Sequence, residues 1–383
     1  MEKIRAGIIG CGKIARTHAL AYQALEESEL IAASDLNIAN AERIGNEFNI
    51  QAYSDVQKMI RENGLNAVSV CTPHPAHKDM IVAAAEAGAH VICEKPLAPN
   101  LKDCDEAIAA CDKAGVKLAV ISQRRYYPPV QRMVKAINEG KIGKPIIGTM
   151  EVLGWRSPEY YLMDGWRGKW KEEGGGVMVN QTPHQLDLLQ WIMGDIDELF
   201  GYWDNFNHPT VEVEDTALAV LRFKNGSIGH FFVSNSVNPG LWGKIRIFGD
   251  KGTVVSAQVE GGSSFVSGVT TKVEPAYTDL WTVQTEPGEL EQWKLSDTEV
   301  FETHDPMTYF HRLQIADFLG AIRENRKPLV DGREGRKTVE MFVAVYRSQR
   351  DGNPIKFPLQ DESDDSYDGR RSYQPISRRK AAC

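Results

Sequence analysis

The chain has 383 residues, of which 42% are hydrophobic and 25% charged, and its formal net charge is −8 at pH 7. This composition is that of a globular chain long enough for two domains, and the negative charge argues against nucleic acid as a partner. No apolar run reaches the length of a membrane span and no signal-peptide pattern begins the sequence, so we expect no membrane partner and a cytoplasmic location.

The six cysteines are scattered and form no C-x-x-C pair. Cys11, Cys71 and Cys93 lie in or beside predicted buried strands, which is typical of reduced thiols packed in a core. Cys104 and Cys111 share one predicted helix, where a metal site is conceivable, but we predict no metal.

The first predicted element is a strand that ends in a glycine turn. The apolar run up to Gly10 continues as Gly10-x-Gly12-x-x-Ala15 into a helical pattern. Gly10 allows the turn, Gly12 lets a phosphate approach the backbone, and the small Ala15 lets the helix pack on the strand. The start of the helix, with Lys13 and Ile14, adds N–H groups that bind anions. This pattern predicts a pyrophosphate cradle, although an ordinary strand-turn-helix is the alternative.

The second predicted strand ends at Asp35, about 20 residues after the glycine turn, where dinucleotide-binding folds place an acid for the ribose hydroxyls. A carboxylate accepts hydrogen bonds from these hydroxyls and repels a 2′-phosphate. Leu36 and Asn37 supply no cation, and Arg43 is expected on a solvated helix face. The sequence therefore predicts NAD as the cofactor.

Strand and helix patterns alternate through the first third of the chain. Continuous apolar runs at 67–71, 89–93 and 117–120 lie between helical segments. Such runs with helical crossovers are typical of a parallel sheet covered on both faces. We predict an α/β dinucleotide-binding domain over residues 1–125.

Ligands of an open parallel sheet bind at the carboxyl ends of its strands. Thr72 and His77 follow the run at 67–71, so we expect both near the cofactor, with a turn-capping role for His77 as the alternative. Glu94, Lys95 and Pro96 follow the run at 89–93 and would point two charged groups at the same edge. A partly buried lysine can hydrogen-bond a reacting hydroxyl, whereas a surface ion pair is the structural alternative.

The remainder of the chain is predicted as a second domain over 126–360 with a mainly antiparallel sheet. Two-residue periodicity predicts strands at 145–155, 213–223, 227–236, 243–249 and 252–257. Asn225-Gly226 marks a hairpin between two of them. Helices are predicted at about 129–139, 183–193, 306–324 and 333–349. The late helices would pack on this sheet or return to the first domain. The tail 361–383 is polar and charged, and is either mobile or an arm that holds a second subunit.

A glycine run, Gly174-Gly175-Gly176, leads into a segment with Asn180, His184 and Asp187. Residues three or four apart share a helix face, so His184 could converge with Asp187 or Asn180. A neutral imidazole is a fit base for an alcohol proton, although a helix histidine is often structural.

Aromatic and polar side chains flank this region and suit the apolar faces and hydroxylated rim of a sugar ring, or else belong to the core. We assign to the cofactor Glu94, Lys95, Gln123, Trp166 and Arg167. We assign to the substrate Arg125, Tyr127, Tyr160 and, from the late helix, His311.

Gly10-x-Gly12-x-x-Ala15, Glu94-Lys95-Pro96 and the glycine run with His184-x-x-Asp187 resemble the glucose–fructose oxidoreductase / inositol 2-dehydrogenase / MocA family along nearly the whole chain. The resemblance implies an N-terminal Rossmann domain and a C-terminal α/β domain with an open, mainly antiparallel sheet. It also implies hydride transfer between NAD(P) and a ring carbon of a sugar or cyclitol. In this interpretation Lys95 positions the reacting hydroxyl and the cofactor, and His184 is the acid/base.

Asn180 departs from the family, because many members carry an aspartate there. An amide cannot take a proton, although it can orient a substrate hydroxyl, so we keep Asn180 among the catalytic candidates. A keto-sugar or nucleotide-sugar reductase and a non-catalytic NAD sensor remain alternative functions. An open sheet with one apolar face needs a cover, which predicts a homodimer or homotetramer.

Overall fold

The computed structural model describes residues 2–260, 274–286 and 288–359, so the predicted tail at 361–383 lies outside the described residues. The strands are β1 Ile4–Ile9, β2 Ser28–Ser34, β3 Gln51–Tyr53, β4 Ala67–Val70, β5 His90–Cys93, β6 Leu118–Val120, β7 Pro145–Leu153, β8 Ile196–Asp204, β9 Thr216–Phe223, β10 Ile228–Ser234, β11 Gly243–Gly249, β12 Val254–Glu260, β13 Tyr277–Trp281 and β14 Ile355–Lys356.

The helices are α1 Ala15–Gln23, α2 Ile38–Phe48, α3 Val56–Asn63, α4 His77–Glu86, α5 Leu101–Ala114, α6 Pro128–Asn138, α7 Pro158–Leu162, α8 Trp170–Glu173, α9 Pro183–Met193, α10 Leu290–Thr303, α11 Pro306–Arg323 and α12 Gly332–Asp351. Short 3-10 turns occur at His74–Ala76 and Gln123–Tyr126, and a π-helical turn occurs at Val177–Gln181.

The chain divides into two compact units. Unit 1 comprises Met1–Gln123 and Met307–Val339, and unit 2 comprises Arg124–Pro306 and Glu340–Cys383. Residues 307–339, which the predicted division placed within 126–360, thus belong to the unit of the N-terminal segment. Of the two alternatives predicted for the late helices, residues 307–339 follow the second, in which they pack with the first domain. The assignment of 126–360 to substrate binding stays a prediction.

Unit 1 contains a parallel sheet in the order β3-β2-β1-β4-β5-β6, which confirms the predicted α/β architecture. The strands are short and apolar, and they are covered by helices because both faces of a parallel sheet must be buried. On one face, Ile315, Phe318 and Leu319 of α11 share a core cluster with Ala21 and Tyr22 of α1. The late helix therefore completes the cover of this sheet.

Unit 2 contains a sheet in the order β13-β12-β11-β7-β10-β9-β8-β14. Its pairs are antiparallel except for β7 with β10, which confirms the mainly antiparallel prediction. The Asn225-Gly226 hairpin joins β9 to β10, with Gly226 at φ +87°. The sequence missed β8, β13 and α10, because acidic residues interrupt the alternation of the two strands and α10 has only a weak apolar stripe.

One face of the unit 2 sheet packs on α9, and the other exposes apolar side chains. Leu189 and Met193 of α9 lie so close to Gly148 of β7 that a Cβ there would meet them at 3.1 and 2.6 Å. On the opposite face Leu218 and Val220 are 45% and 58% exposed, and Tyr202 pairs with Leu218 across the strands. Within the described residues, no helix combines the length and apolar character needed to cross a membrane.

Candidate active site

The predicted site residues of unit 1 follow the carboxyl ends of its parallel strands, where open α/β sheets bind ligands. These positions are Gly10 after β1, Asp35 after β2, Thr72 after β4, Glu94 and Lys95 after β5, and Gln123 after β6. Parallel neighbours in the sheet bring these strand ends to one edge. The sheet topology thus brings together candidate residues that are far apart in the sequence.

The glycine turn has the backbone that a phosphate cradle needs. Gly10 adopts φ +88°, and a Cβ there would lie 2.7 Å from the Thr72 nitrogen, so only glycine fits. No described atom lies within 4 Å of a Cβ built on Gly12, which is exposed like Lys13. Helix α1 begins after Ile14 without a side-chain cap. The turn therefore presents accessible backbone at a helix N-terminus, which suits a pyrophosphate.

Asp35 is fixed beside this turn. Its carboxylate accepts hydrogen bonds from the backbone N–H of Cys11 at 2.8 Å and of Asn37 at 2.9 Å. Carboxylates have about four acceptor sites, so capacity remains for ribose hydroxyls. Arg43 is exposed, as expected for a solvated helix face, and its Nη2 also donates to the Cys11 carbonyl at 2.5 Å.

Thr72 and His77 have different roles in the structure. The Thr72 hydroxyl is buried and has no hydrogen-bond partner among the described residues, which fits a group that binds cofactor. The buried His77 ring has Nδ1 2.8 Å from the Pro96 carbonyl and Nε2 2.9 Å from the Thr72 carbonyl. Burial lowers the pKa of His77, and these hydrogen bonds oppose the shift. His77 thus supports two site loops, and we correct its assignment as a cofactor contact.

Glu94 is the centre of a buried polar network that sequence reasoning did not find. Its Oε1 lies 3.0 Å from His18 Nε2 and 3.2 Å from His311 Nε2. His18 Nδ1 lies 2.9 Å from the Ser69 hydroxyl, which is itself 2.9 Å from the Tyr22 hydroxyl. The signal was available, because a histidine on the core-facing side of α1 must have a polar partner.

The electrostatics of this network favour an ionised Glu94. Burial alone would raise the pKa of Glu94, but hydrogen bonds from His18 and His311 hold it well below its usual range. Burial lowers the pKa of His18. His311 Nδ1 lies 2.7 Å from the Met307 carbonyl, an acceptor, so this nitrogen carries a proton. His311 is 1% exposed with both ring nitrogens bound to protein atoms, and we correct its assignment as a substrate contact.

The atoms of His18, Glu94 and His311 also form the group of potential metal ligands found in the described residues. The hydrogen bonds above account for their convergence. Lys95 follows this network, is half-buried, and donates its backbone N–H to Glu94 Oε2 at 3.3 Å. The Glu94 network therefore holds the backbone from which the Lys95 side chain projects.

Gln123 lies in the turn after β6 and is 6% exposed. Its Oε1 is buried and has no hydrogen-bond partner among the described residues, so it remains suited to a ligand contact.

In unit 2, the glycine run passes close to a buried carboxylate. A Cβ on Gly176 would lie 1.8 Å from the Glu214 carbonyl, and the Glu214 side chain accepts from the N–H groups of Gly176 at 2.8 Å and Met178 at 3.2 Å. Burial raises the pKa of Glu214 to about 7. Glu214 thus fixes the turn that leads to Asn180 and His184.

Asn180 is paired with a carboxylate that sequence reasoning missed. Its Nδ2 donates to Glu173 Oε1 at 2.5 Å and lies 3.4 Å from the Tyr160 hydroxyl. Glu173 is 1% exposed and also accepts from the Gly168 N–H. A carboxylate therefore lies beside the amide at the position where many family members carry an aspartate.

Tyr160 brings several predicted residues together. Its hydroxyl accepts hydrogen bonds from Arg167 Nη1 and from Gln181 Nε2, the latter at 2.9 Å. The Arg167 guanidinium stacks over the Tyr160 and Trp166 rings at 4.4 and 4.5 Å and pairs with Asp164 at 3.0 Å. Tyr160, Arg167, Trp166 and Asn180 therefore form one cluster in unit 2.

His184 and Asp187, which the sequence suggested could share a face, both lie on α9. His184 is 7% exposed in the first turn of α9, but the Asp187 carboxylate is bound by Arg125 Nε at 2.8 Å and Nη2 at 2.6 Å. Arg125 is 1% exposed and lies over Trp191 at 4.7 Å. Its guanidinium is committed to this buried ion pair, so we correct its assignment to the substrate. Tyr127, also assigned to the substrate, is 7% exposed and packs edge-on against Phe301 in the core.

The parallel sheet, the glycine turn and Asp35 define a dinucleotide-binding domain of the Rossmann type. Residues 4–122 match the NAD-binding Rossmann fold of the oxidoreductase family GFO_IDH_MocA, and residues 134–357 match its C-terminal α/β domain. The chain belongs to this family.

Relatives named as dehydrogenases match more than nine-tenths of the chain. It is 26% identical to myo-inositol 2-dehydrogenase of Thermotoga maritima over 92% of this chain and 98% of that protein. It is 25% identical to D-apiose dehydrogenase of Paraburkholderia graminis over 93% and 90% of the two chains. Among solved structures, the WlbA dehydrogenase of Bordetella pertussis in complex with NADH and UDP-GlcNAcA has a TM-score of 0.81 and 31% identity, covering 94% and 99%.

Proposed function

We propose that the protein is an NAD-dependent dehydrogenase that oxidises a ring secondary hydroxyl of a sugar, glycoside or cyclitol. The observation that carries the proposal is the set of ligand-binding groups at the carboxyl ends of the parallel strands, with Lys95 on a backbone held by Glu94. The dehydrogenases of inositol and apiose among its relatives support the substrate class.

In this proposal the chain supplies binding, orientation and proton transfer. NAD, when bound, supplies the redox chemistry. Gly10, Gly12 and the start of α1 bind the pyrophosphate, and Asp35 accepts from the ribose hydroxyls. Lys95 donates a hydrogen bond to the oxygen of the reacting hydroxyl. His184, as neutral imidazole, takes the hydroxyl proton, while Asn180 orients the substrate from its position beside Glu173.

A nucleotide-sugar substrate is the second candidate. This substrate class is favoured by the similarity to the WlbA dehydrogenase, whose complex contains NADH and UDP-GlcNAcA. The same residues would also serve a reductase that runs in the opposite direction. In the reductive direction His184 would return the proton to the alkoxide, as microscopic reversibility requires.

The test is anaerobic incubation of the purified protein with NAD and a panel of sugars, cyclitols and nucleotide-sugars, followed by absorbance of the reduced cofactor. Lys95→Ala and His184→Ala should each lower turnover, by about 10²–10⁴-fold, with NAD affinity retained. Binding of NAD without turnover of any class would favour the sensor alternative. Parental turnover in both variants would remove Lys95 and His184 from the chemistry.

A further inference from the structure

Arg156, between β7 and α7, is a buried arginine without a carboxylate partner in the described part of the chain. It is 2% exposed, and within the described residues its guanidinium makes one hydrogen bond, from Nη1 to the Trp155 carbonyl at 3.1 Å. Nε is buried and has no hydrogen-bond acceptor among the described residues. A guanidinium has five N–H donors and is always charged, so most of its binding capacity is unused.

Three acids of the surrounding segments of unit 2 pair with other groups. Asp164 pairs with Arg167 at 3.0 Å, and Glu173 accepts from Gly168 and Asn180. Asp215 pairs with His208 at 2.8 Å. Stacking over Tyr160, with Cζ 5.4 Å from the ring centroid, offsets only part of the desolvation of Arg156. A buried charge of this kind calls for an anion from outside the chain.

The backbone of Arg156 is held on both sides. Its N–H donates to the Asn235 carbonyl at 3.1 Å, and its carbonyl accepts from His208 Nε2 at 2.7 Å. The backbone that carries the guanidinium is thus fixed before any ligand arrives, which reduces the entropy lost on binding.

Its location connects it to the substrate residues of unit 2. The Tyr160 ring on which Arg156 stacks carries the hydroxyl bound by Gln181 and approached by Asn180. These two residues lie in the turn directly before Pro183 and His184 of α9.

We propose that Arg156 binds an anionic oxygen group of the substrate, a carboxylate or a phosphate, so that the substrate is an acidic sugar. This inference rests on the proposed function, since it concerns the substrate of that site. The planar guanidinium fork binds such groups through two parallel hydrogen bonds, which a lysine cannot reproduce.

The test measures binding by calorimetry, with NAD present and without reliance on turnover. The probes are glucuronate against glucose, glucose 6-phosphate against glucose, and UDP-glucuronate against UDP-glucose. The proteins are the parent, Arg156→Gln, Arg156→Lys and the exposed control Arg61→Gln. Circular dichroism establishes that each variant is folded, and Arg156→Lys keeps the charge if Arg156→Gln fails to fold.

The parent should bind at least one anionic probe about tenfold or more tightly than its neutral counterpart, since hydrogen bonds to charged groups are the strong ones. Arg156→Gln should reduce that ratio to about one, Arg156→Lys should retain part of it, and Arg61→Gln should leave it unchanged. Preference for both uronates identifies a carboxylate. Preference for glucose 6-phosphate, with equal Arg156-dependent affinity for the two UDP-sugars, identifies a phosphate.

Equal affinity of the parent for every pair, or a preference that survives in both Arg156 variants, would overturn the proposal. Oxidation of neutral sugars at equal rates by the parent and Arg156→Gln would leave the proposed function intact and reject this inference. Binding of an anionic probe that depends on Arg156, with no reduction of NAD by any substrate, would support this inference and reject the proposed function.

Discussion

The carboxylate of Asp35 accepts a hydrogen bond from the backbone N–H of Cys11 at 2.8 Å. The acid expected to select the cofactor is therefore also a structural part of the glycine turn. Leu36, the next residue, is 94% exposed and brings no charge. The two facts together define how cofactor choice should respond to substitution.

We expect the parent protein to bind NAD more tightly than NADP, because the Asp35 carboxylate repels a 2′-phosphate. Asp35→Ser combined with Leu36→Arg should shift the preference toward NADP, and it should also weaken NAD binding because the Cys11 contact is lost. Fluorescence titration with both cofactors measures this. Leu36→Arg alone is the control, since it keeps the acid. Equal affinities in the parent would contradict the assignment of Asp35.

The buried Glu94 network should contribute strongly to the stability of unit 1. Replacing His311 with Leu removes one donor and leaves the buried Glu94 carboxylate with fewer hydrogen bonds. Loss of one hydrogen-bond partner of a buried polar group costs about 1–3 kcal/mol of unfolding free energy, and urea unfolding measures it. The exposed His304→Leu is the matched control. Adding Glu94→Gln to His311→Leu should recover part of the loss, and a single variant as stable as the parent would contradict the stabilising role of this hydrogen bond.

Glu214 should make the stability of unit 2 depend on pH. Burial raises its pKa from 4.5 to about 7, so the folded protein favours the neutral carboxyl. The resulting stabilisation is fully present below pH 4.5 and is lost as the pH rises through about 7. Its magnitude is up to about 3 kcal/mol, and Glu214→Gln, which cannot ionise, should not lose it.

The measurement compares urea unfolding of the parent and Glu214→Gln at pH 5 and pH 8. The variant should gain relative to the parent at the higher pH, while the exposed Glu62→Gln should show the same difference at both. A parent–Glu214→Gln difference that does not change with pH would show that Glu214 does not titrate in this range.

The exposed face of the unit 2 sheet should mediate self-association, as we predicted from the open sheet. Leu218 and Val220 lie two residues apart on β9 and face the same side, next to Tyr202 and Phe200 of β8. Val220→Asp should lower the mass measured by light scattering, because it places a charge in an apolar contact. Leu295→Asp, which changes a leucine of α10 that is 72% exposed, is the control. A monomeric parent would contradict the prediction.

The sequence alone determined the family, the α/β class, the strand ends of unit 1 and most of the residues that follow them. Those features are local: a glycine turn, apolar runs and a hairpin dipeptide each specify their own backbone. Glu94, Lys95 and Asp35 were found because a charged residue at the end of an apolar strand stands out.

Only the tertiary structure decided which side chains pair. Asp187 binds Arg125, which is 62 positions away in sequence, and His311 of the late helix contacts Glu94. Glu173, Glu214 and Arg156 were missed because a buried ionisable side chain carries no periodic signal. Its position depends on which distant donor or acceptor satisfies it, and that choice is made when the core closes and removes water from every polar group it encloses.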